Sequence, residues 1–366
     1  MLTFLHAADL RLDAPFHSLS PDQASERRQE QRQLLTRLAD AAREAEADVI
    51  LLAGNLFDGQ RARPEILQTL YQILEDLDAE IFLAPGSRDP WTPGSPYGRL
   101  VWPPHVHIFS SPAPERVELP ELGAVVYGGA FTSPVPGEGP LEGFRGEEDR
   151  GMARLGCFHG RLTSGESRPG FVTEAQIAAS GLDYLALGGR LEASGQRRAG
   201  RTWYAWPGCP EGRSFEETGE KGVYAGELEK GEVSLRFVPL ARRRYLAPRL
   251  DVTGRLPEEA LRDLMGQANP QDILRITLTG ERDPAHEPDL TELTALASGY
   301  FYSAILRDET ALSQSLWARA EEDTLTGLFL RNMRGRLDAA AEADRPLLER
   351  AVRFGLAALE GREAPR

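Results

Sequence analysis

Lysine and cysteine are nearly absent from this sequence. Only Lys221 and Lys230 occur in 366 residues, so 40 of the 42 basic side chains are arginine. Two cysteines, Cys157 and Cys209, cannot build a disulfide framework, and reduced thiols in a cytoplasmic protein are expected. No apolar run approaches the roughly 18 residues of a membrane span, so no membrane partner is expected. The opening MLTFLHAADL lacks a basic start and a long apolar stretch, and reads as a first strand, not a signal peptide. The chain has no P-loop, no G-x-G-x-x-G and no G-x-S-x-G, which leaves nucleotide hydrolysis and serine-esterase chemistry without support. Basic charge is also outweighed, because 56 acidic side chains bring the net charge to −14. That argues against non-specific coating of nucleic acid but leaves a local basic site open.

What is present is ordinary globular material, 41% hydrophobic and 27% charged, at a length that suggests two or three modules. The first 90 residues alternate strand and helix signals. Leu2 to Ala7, Asp48 to Ala53 and Glu80 to Ala84 are short apolar strands. Ser20-Pro21-Asp22-Gln23 combines a capping residue, a proline suited to the first helical turn and a glutamine that completes a capping box. Leu34, Leu35, Leu38, Ala41 and Ala42 then share one helical face, and Pro64 to Leu77 forms a second amphipathic helix. Strands joined by helices in this order predict an α/β sheet.

From residue 105 the pattern becomes short strands between Pro/Gly-rich turns, at 106–109, 124–127, 153–158, 184–187, 202–205, 222–228 and 233–239. Ser133 to Gly151 reads as a mobile excursion. Arg242-Arg243-Arg244 reads as a solvated linker in preference to a nucleic-acid patch. A β-α-β-α-β module follows over 249–307, then two helices near 322–342 and 346–359. Leu325, Leu328, Phe329 and Met333 stripe the first, and Leu348, Val352, Leu356 and Leu359 the second. These stripes either dock on the chain's own body or grip a partner's helices.

Ligand sites in α/β sheets form at strand ends. Here the ends carry Asp9-Leu10-Arg11, Gly54-Asn55-Leu56-Phe57-Asp58, Pro85-Gly86-Ser87-Arg88-Asp89, Phe158-His159-Gly160 and Gly188-Gly189-Arg190-Leu191. Their order and spacing resemble the five motifs of the calcineurin-like metallophosphoesterases: D-x-H, G-D-x-x-D, G-N-H-D, H-G and G-H-x-H. The resemblance is closest to the DNA repair exonuclease subunit of bacterial SbcCD complexes, in its YhaO-like branch. HAADLRLDAPF, PGCPEGRSFEETGEKGVY and RAVRFGLAALEG carry that closer match across essentially the whole chain.

The resemblance implies a four-layer α-β-β-α sandwich over residues 1–245, a small α+β cap module over 246–310 and C-terminal helices over 311–366. It also implies two divalent ions that activate water and stabilise the attacking and leaving oxygens of a phosphodiester. Placed on those motifs, Asp9 keeps its ligand while the histidine partner is Arg11. The bridging aspartate is Asn55, the ligand asparagine is Ser87 and the leaving-group histidine is Arg88. His159 is kept, and Gly189 and Leu191 replace both histidines of the last motif. Arginine offers donors only and cannot ligate a cation.

Three readings of the site follow. Arg11, Arg88 and Arg190 neutralise Asp9, Asp58 and Asp89, carboxylates that in the family lie close to the ions. Alternatively the same arginines cradle a phosphate or a DNA backbone without cutting it. In the third, Asp9, Asn55 and His159 keep a vestigial one-metal activity that needs Mn or Mg. Cys157, His6, and the loop aromatics Trp91, Tyr97 and Trp102 read as core packing. His105 and His107 lack further ligands for a metal pair. The resemblance as a whole implies a catalytically degenerate relative of a repair nuclease subunit, a structural or regulatory partner of an SMC-type ATPase. No cofactor is expected on that reading, DNA contact and a homodimer are open, and the alternative is an active metal-dependent exonuclease.

Overall fold

The computed structural model describes every residue except 17–18, 136, 148–150, 167, 283–287, 342–343 and 362–366. The chain forms two compact units, Met1–Arg244 and Tyr245–Arg366. The segments expected as cap and helical pair both lie in the second.

The first unit is built on two six-stranded sheets. In one, Leu2–Ala7 lies between Gly222–Glu229, which it pairs antiparallel, and Val49–Leu52, which it pairs in parallel. Glu80–Leu83 and Val106–Ile108 extend the parallel run, and Glu232–Pro239 closes the other edge. In the second sheet, Ala153–His159 is central, flanked by Tyr184–Gly188 and Ala124–Gly128 in parallel register. Alternation along each strand sends one set of side chains between the sheets and the other set outward. Phe4, Leu51 and Phe82 thus meet Leu155, Cys157 and Tyr184 in the middle layer. Leu5, Ile50 and Ile81 face the helices Pro21–Glu44 and Pro64–Glu75 through Leu34, Leu38 and Leu70. The outer face of the second sheet is covered by Ile177 of the helix Glu174–Ala179, with Trp206 and Leu141. This is the metallophosphoesterase sandwich, with a thin outer layer on its second sheet.

Local chemistry explains the elements. The capping box is formed: Ser20 Oγ accepts from Gln23 N at 3.3 Å, and Gln23 Oε1 accepts from Ser20 N at 3.4 Å. Val106–Ile108 pairs with Glu80–Leu83 and so completes the first sheet, where sequence pattern groups it with the later short strands. Glu115–Leu119 is an edge strand that its polar sequence, ERVEL, conceals. Of the stretch expected as a mobile excursion, residues 136 and 148–150 lie outside the described residues. The remainder is not all free: Leu141 is buried and Phe144 packs on the same cluster.

The arginine triplet is a correction of a larger kind. Arg243 is 2% exposed, and its guanidinium donates to Glu30 and, at 3.0 Å, to Glu26. Glu30 also accepts from buried Arg27 and lies 3.4 Å from Arg242. A linker that reads as solvated is instead fastened to the first helix, because a buried carboxylate is tolerable only when guanidinium donors surround it.

In the second unit, Ile273–Thr279 pairs in parallel with Tyr245–Leu246 and Arg249–Asp251 along one edge and Ser303–Asp308 along the other. Helices Pro257–Gln267 and Leu290–Tyr300 pack Leu261, Leu293 and Ala297 on its Leu274, Ile276 and Leu278. The helices Leu325–Ala339 and Arg345–Leu359 have a core of their own, with Leu312 and Leu316. The inward face of the first is Phe329, Leu330, Met333 and Leu337, while Leu325 and Leu328 are 68% and 58% exposed. Thr324 caps at Gly327 N and sets that phase. Gly355 is required by this packing, since a Cβ there would stand 2.1 Å from the Phe329 ring.

The Glu30 cluster gives a direct test. Arg243→Ala removes one of the two buried guanidinium groups that donate to Glu30, leaving Arg27, and is expected to cost about 1.5–3 kcal/mol. Arg242→Ala, at a half-exposed partner, is expected to cost under about 1 kcal/mol. Urea denaturation of both variants checks this, and equal losses would show that Glu30 is not held by Arg243.

Candidate functional site

The candidate site lies where the parallel strands of both sheets end. After Ala7 the chain runs beside the segment that follows Leu52: Asp9 N donates to Gly54 O, Arg11 N to Asn55 O and Leu12 N to Leu56 O, at 2.8–2.9 Å. Asp9, Arg11 and Asn55 all have positive φ, at 52°, 45° and 52°. Aspartate and asparagine tolerate this conformation, whereas for arginine it costs about 1–2 kcal/mol. Gly54 and Gly188 let the two sheets approach. A Cβ at Gly54 would lie 2.5 Å from His159 Nδ1, and one at Gly188 would lie 1.6 Å from Ala53 O.

The structure brings Asp9, Asn55 and His159 together in one buried hydrogen-bond network. Asn55 Nδ2 donates to Asp9 Oδ1 at 2.7 Å and faces His159 Nε2 at 3.3 Å. His159 Nδ1 donates to Ala53 O at 3.1 Å, which leaves Nε2 as the acceptor. Asp9 Oδ2 accepts from Gly189 N at 2.7 Å, and Asn55 Oδ1 accepts from Arg88 N at 3.0 Å. The partners fix the orientation of the amide. Turned over, its oxygen would face the Asp9 carboxylate and its NH2 the Arg88 N–H.

Asp89 is fully buried beneath this network and takes backbone donors in place of the arginine expected for it. Its oxygens accept from Asn55 N, Gly86 N and Phe57 N at 2.9–3.1 Å and from the Tyr97 hydroxyl. Burial pushes its carboxyl up to about 6, against the opposing pull of the Tyr97 hydroxyl and those N–H groups. Asp89 therefore braces the loops that carry Asn55 and Arg88.

The arginines are only loosely neutralised. Arg11 Nε is 3.8 Å from Asp9 Oδ1, beyond hydrogen-bond reach, and is buried without a hydrogen-bond partner. Burial lowers the Arg11 pKa, and the nearby charges of Arg213 and Arg88 lower it further, partly offset by Asp9. Arg88 meets Asp58 at 3.4 Å. Arg190 is not paired with any of the three aspartates and lies 4.0 Å from Glu192. Sequence reading missed Arg213, which donates from Nε to Glu217 Oε2 at 3.0 Å, grips Oε1 with Nη2 and stands 3.8 Å from Asp58. Its place inside PGCPEGRSFEETGEKGVY, one of the stretches that carry the resemblance, was the available signal.

The remaining candidates are structural. Cys157 is buried and its thiol is pushed well above the usual range. His6 bonds the Tyr184 hydroxyl at 2.8 Å, and burial takes its imidazole down to about 3. His105 meets Leu74 O, while His107 meets Glu80 and stacks on Phe82. Trp102 Nε1 donates to Tyr97 O.

A pair of divalent ions needs several oxygen or imidazole ligands each. Here both Asp9 oxygens are occupied by N–H donors, His159 Nε2 faces an amide NH2, and Gly189 and Leu191 bring no side-chain ligand. Among the described residues no group of three or more His, Cys, Asp and Glu side chains is arranged to hold a metal ion. The donors present do not fit a two-ion centre.

No family model matches the chain. It is 32% identical over 251 residues to a Bacillus subtilis (strain 168) protein described as the uncharacterized metallophosphoesterase YhaO. The match covers 64% of this chain and 60% of the relative, so the chain spans less than two thirds of that protein's length. The similarity agrees with the metallophosphoesterase-type sandwich of the first unit.

The network makes residue 55 decisive. Asn55→Asp would set two carboxylates against each other, and is expected to cost about 1–3 kcal/mol near pH 8. The loss should shrink as pH falls and the pair takes up a proton. Mn2+ should raise the melting temperature of this variant more than that of the natural protein. Stability unchanged at pH 8 would refute the role given to the amide.

Proposed function

We propose that this chain is a catalytically silent metallophosphoesterase relative that acts as a structural or regulatory partner of an SMC-type ATPase. The observation that carries the loss of catalysis is the Asn55 amide, whose NH2 lies against Asp9 and His159 where a two-ion mechanism would need a cation. Two-ion hydrolysis places its charge on a metal-activated water and a leaving oxygen. Here the same residues are spent on hydrogen bonds that tie the first sheet to the second. The partner class comes from the resemblance to SbcCD-type nuclease subunits, including the PGCPEG and RAVRFGLAALEG stretches.

A second reading is favoured by Arg11, whose buried Nε lacks an acceptor while two further guanidinium groups lie within Coulombic range. In that reading Arg11 and Arg88 hold a phosphate group without cleaving it, as forked donors suit such an anion. The enzymatic alternative is a Mn- or Mg-dependent phosphoesterase working with Asp9, Asn55 and His159.

One preparation separates the three. Elemental analysis should find metal far below one ion per chain, and Mn2+ should support no cleavage of single- or double-stranded DNA. Stoichiometric metal with cleavage abolished by Asp9→Asn or His159→Asn would overturn the silent reading. Inorganic phosphate binding that disappears in Arg11→Gln, without cleavage, would establish the phosphate-holding role.

A further inference from the structure

A second cleft lies at the other end of the sandwich, where the strands begin. It measures about 900 Å³ and is bordered by the starts of Leu2–Ala7 and Ala153–His159, by Asp183 just before Tyr184–Gly188, and by the Lys230-Gly231 hairpin turn. Its described lining carries four cations, Arg145, Arg154, Arg201 and Lys230, against two anions, Asp183 and Glu229. In a chain of net charge −14 with only two lysines, a cleft with surplus positive charge calls for an explanation.

Asp183 is what makes this a built feature. Its side chain is 8% exposed, and its Oδ1 accepts from Arg201 Nη2 at 2.9 Å and from Arg154 Nη2 at 3.4 Å. Its Oδ2 accepts from the Arg154 backbone N at 2.9 Å and Nε at 3.5 Å. One largely buried carboxylate thus holds two guanidinium groups side by side while cancelling the charge of one. Arg154 Nη1 and both Nε and Nη1 of Arg201 keep no protein partner among the described residues, and Arg145 forms no ion pair or hydrogen bond there. Half-buried Leu122 and Met152 add apolar wall beside the charges.

We infer that this cleft binds a nucleoside di- or triphosphate, gripped through its phosphates by Arg154 and Arg201 with Arg145 and Lys230 alongside. Paired guanidinium forks match the oxygens of a phosphate, and their geometry is set in advance by Asp183. The volume is that of a small-molecule site, not of a single ion, and the apolar wall suits a base or sugar. This inference is independent of the strand-end site.

The test titrates the full chain with ADP, inorganic pyrophosphate and adenosine, followed by calorimetry and thermal shift. ADP and pyrophosphate should bind and raise the melting temperature, and adenosine should do neither. Arg145→Gln combined with Arg201→Gln should weaken ADP binding at least about tenfold, the effect of losing charge-assisted hydrogen bonds. Both side chains are exposed, so the fold should persist, and Arg145→Gln alone, at a residue without a partner, should still weaken binding severalfold. Arg11→Gln should leave ADP binding unchanged. No binding, adenosine binding as well as ADP, full binding by the double variant, or loss in Arg11→Gln would each overturn the inference.

Discussion

The side-chain amide of Asn55 spans the narrow gap between the two sheets, and the strand-end site is arranged around its two N–H bonds. Asp9, on the first sheet, is 1% exposed and needs compensation for its charge. The amide gives it one short hydrogen bond, Gly189 N gives the second, and Arg11 supplies a positive charge at 3.8 Å. At an effective dielectric near 20 that separation is worth about 4 kcal/mol before desolvation. A neutral residue at position 55 is what makes this arrangement self-sufficient. An aspartate there would add a second negative charge that hydrogen bonds alone could not offset, and an added cation would be the usual remedy. On the proposed reading, an NH2 in place of one carboxylate oxygen turns a demand for metal into an internal contact.

That conversion constrains the neighbours as well. Once Asn55 turns its NH2 toward Asp9 and His159, its oxygen must find a donor on the other side, and Arg88 N provides it. Arg88 N is in position because Asp89 gathers the N–H groups of Gly86, Phe57 and Asn55. Asp89 is therefore satisfied by backbone and by Tyr97, which is why no guanidinium reaches it. Arg11 and Arg88 consequently make only long contacts with Asp9 and Asp58, and Arg213 from a distant loop shares Asp58 with Arg88.

Much of the sandwich was legible because it follows from alternation and helix period, which are local. The strands at Leu2–Ala7, Val49–Leu52 and Ala153–His159, and the capping box at Ser20, needed nothing beyond their own neighbours. What was hidden depends on partners far along the chain. Arg243 reads as a solvated linker residue until Glu30, 213 positions away, is seen to receive it. The phase of Leu325–Ala339 was misread because leucines at 325 and 328 mimic a stripe, while Gly355 on the facing helix admits Phe329 and sets the contact. At the site, the motif slots of Asp9, Asn55 and His159 were legible through resemblance. The direction in which Asn55 points its amide was not, since it depends on two side chains, Asp9 and His159, and on the backbone N–H of Arg88, all from other strand ends.

The arginine-rich composition connects these places. Glu30 and Asp183 are each a buried or nearly buried carboxylate holding more than one guanidinium, a geometry that lysine, with its single compact ammonium, cannot reproduce. The two clusters differ in what surrounds them. Around Glu30 the guanidinium groups of Arg27 and Arg243 are themselves buried and reach further acceptors at Glu211, Gly212 O and Glu26, so the cluster closes on itself and fastens the end of the first unit. Around Asp183 the outer nitrogens border an open cleft and have no further acceptor among the described residues. The same pairing is thus a clasp when both partners are buried and a receptor when one side is left to solvent. The degree of closure, not the residue types, separates structure from binding in this chain.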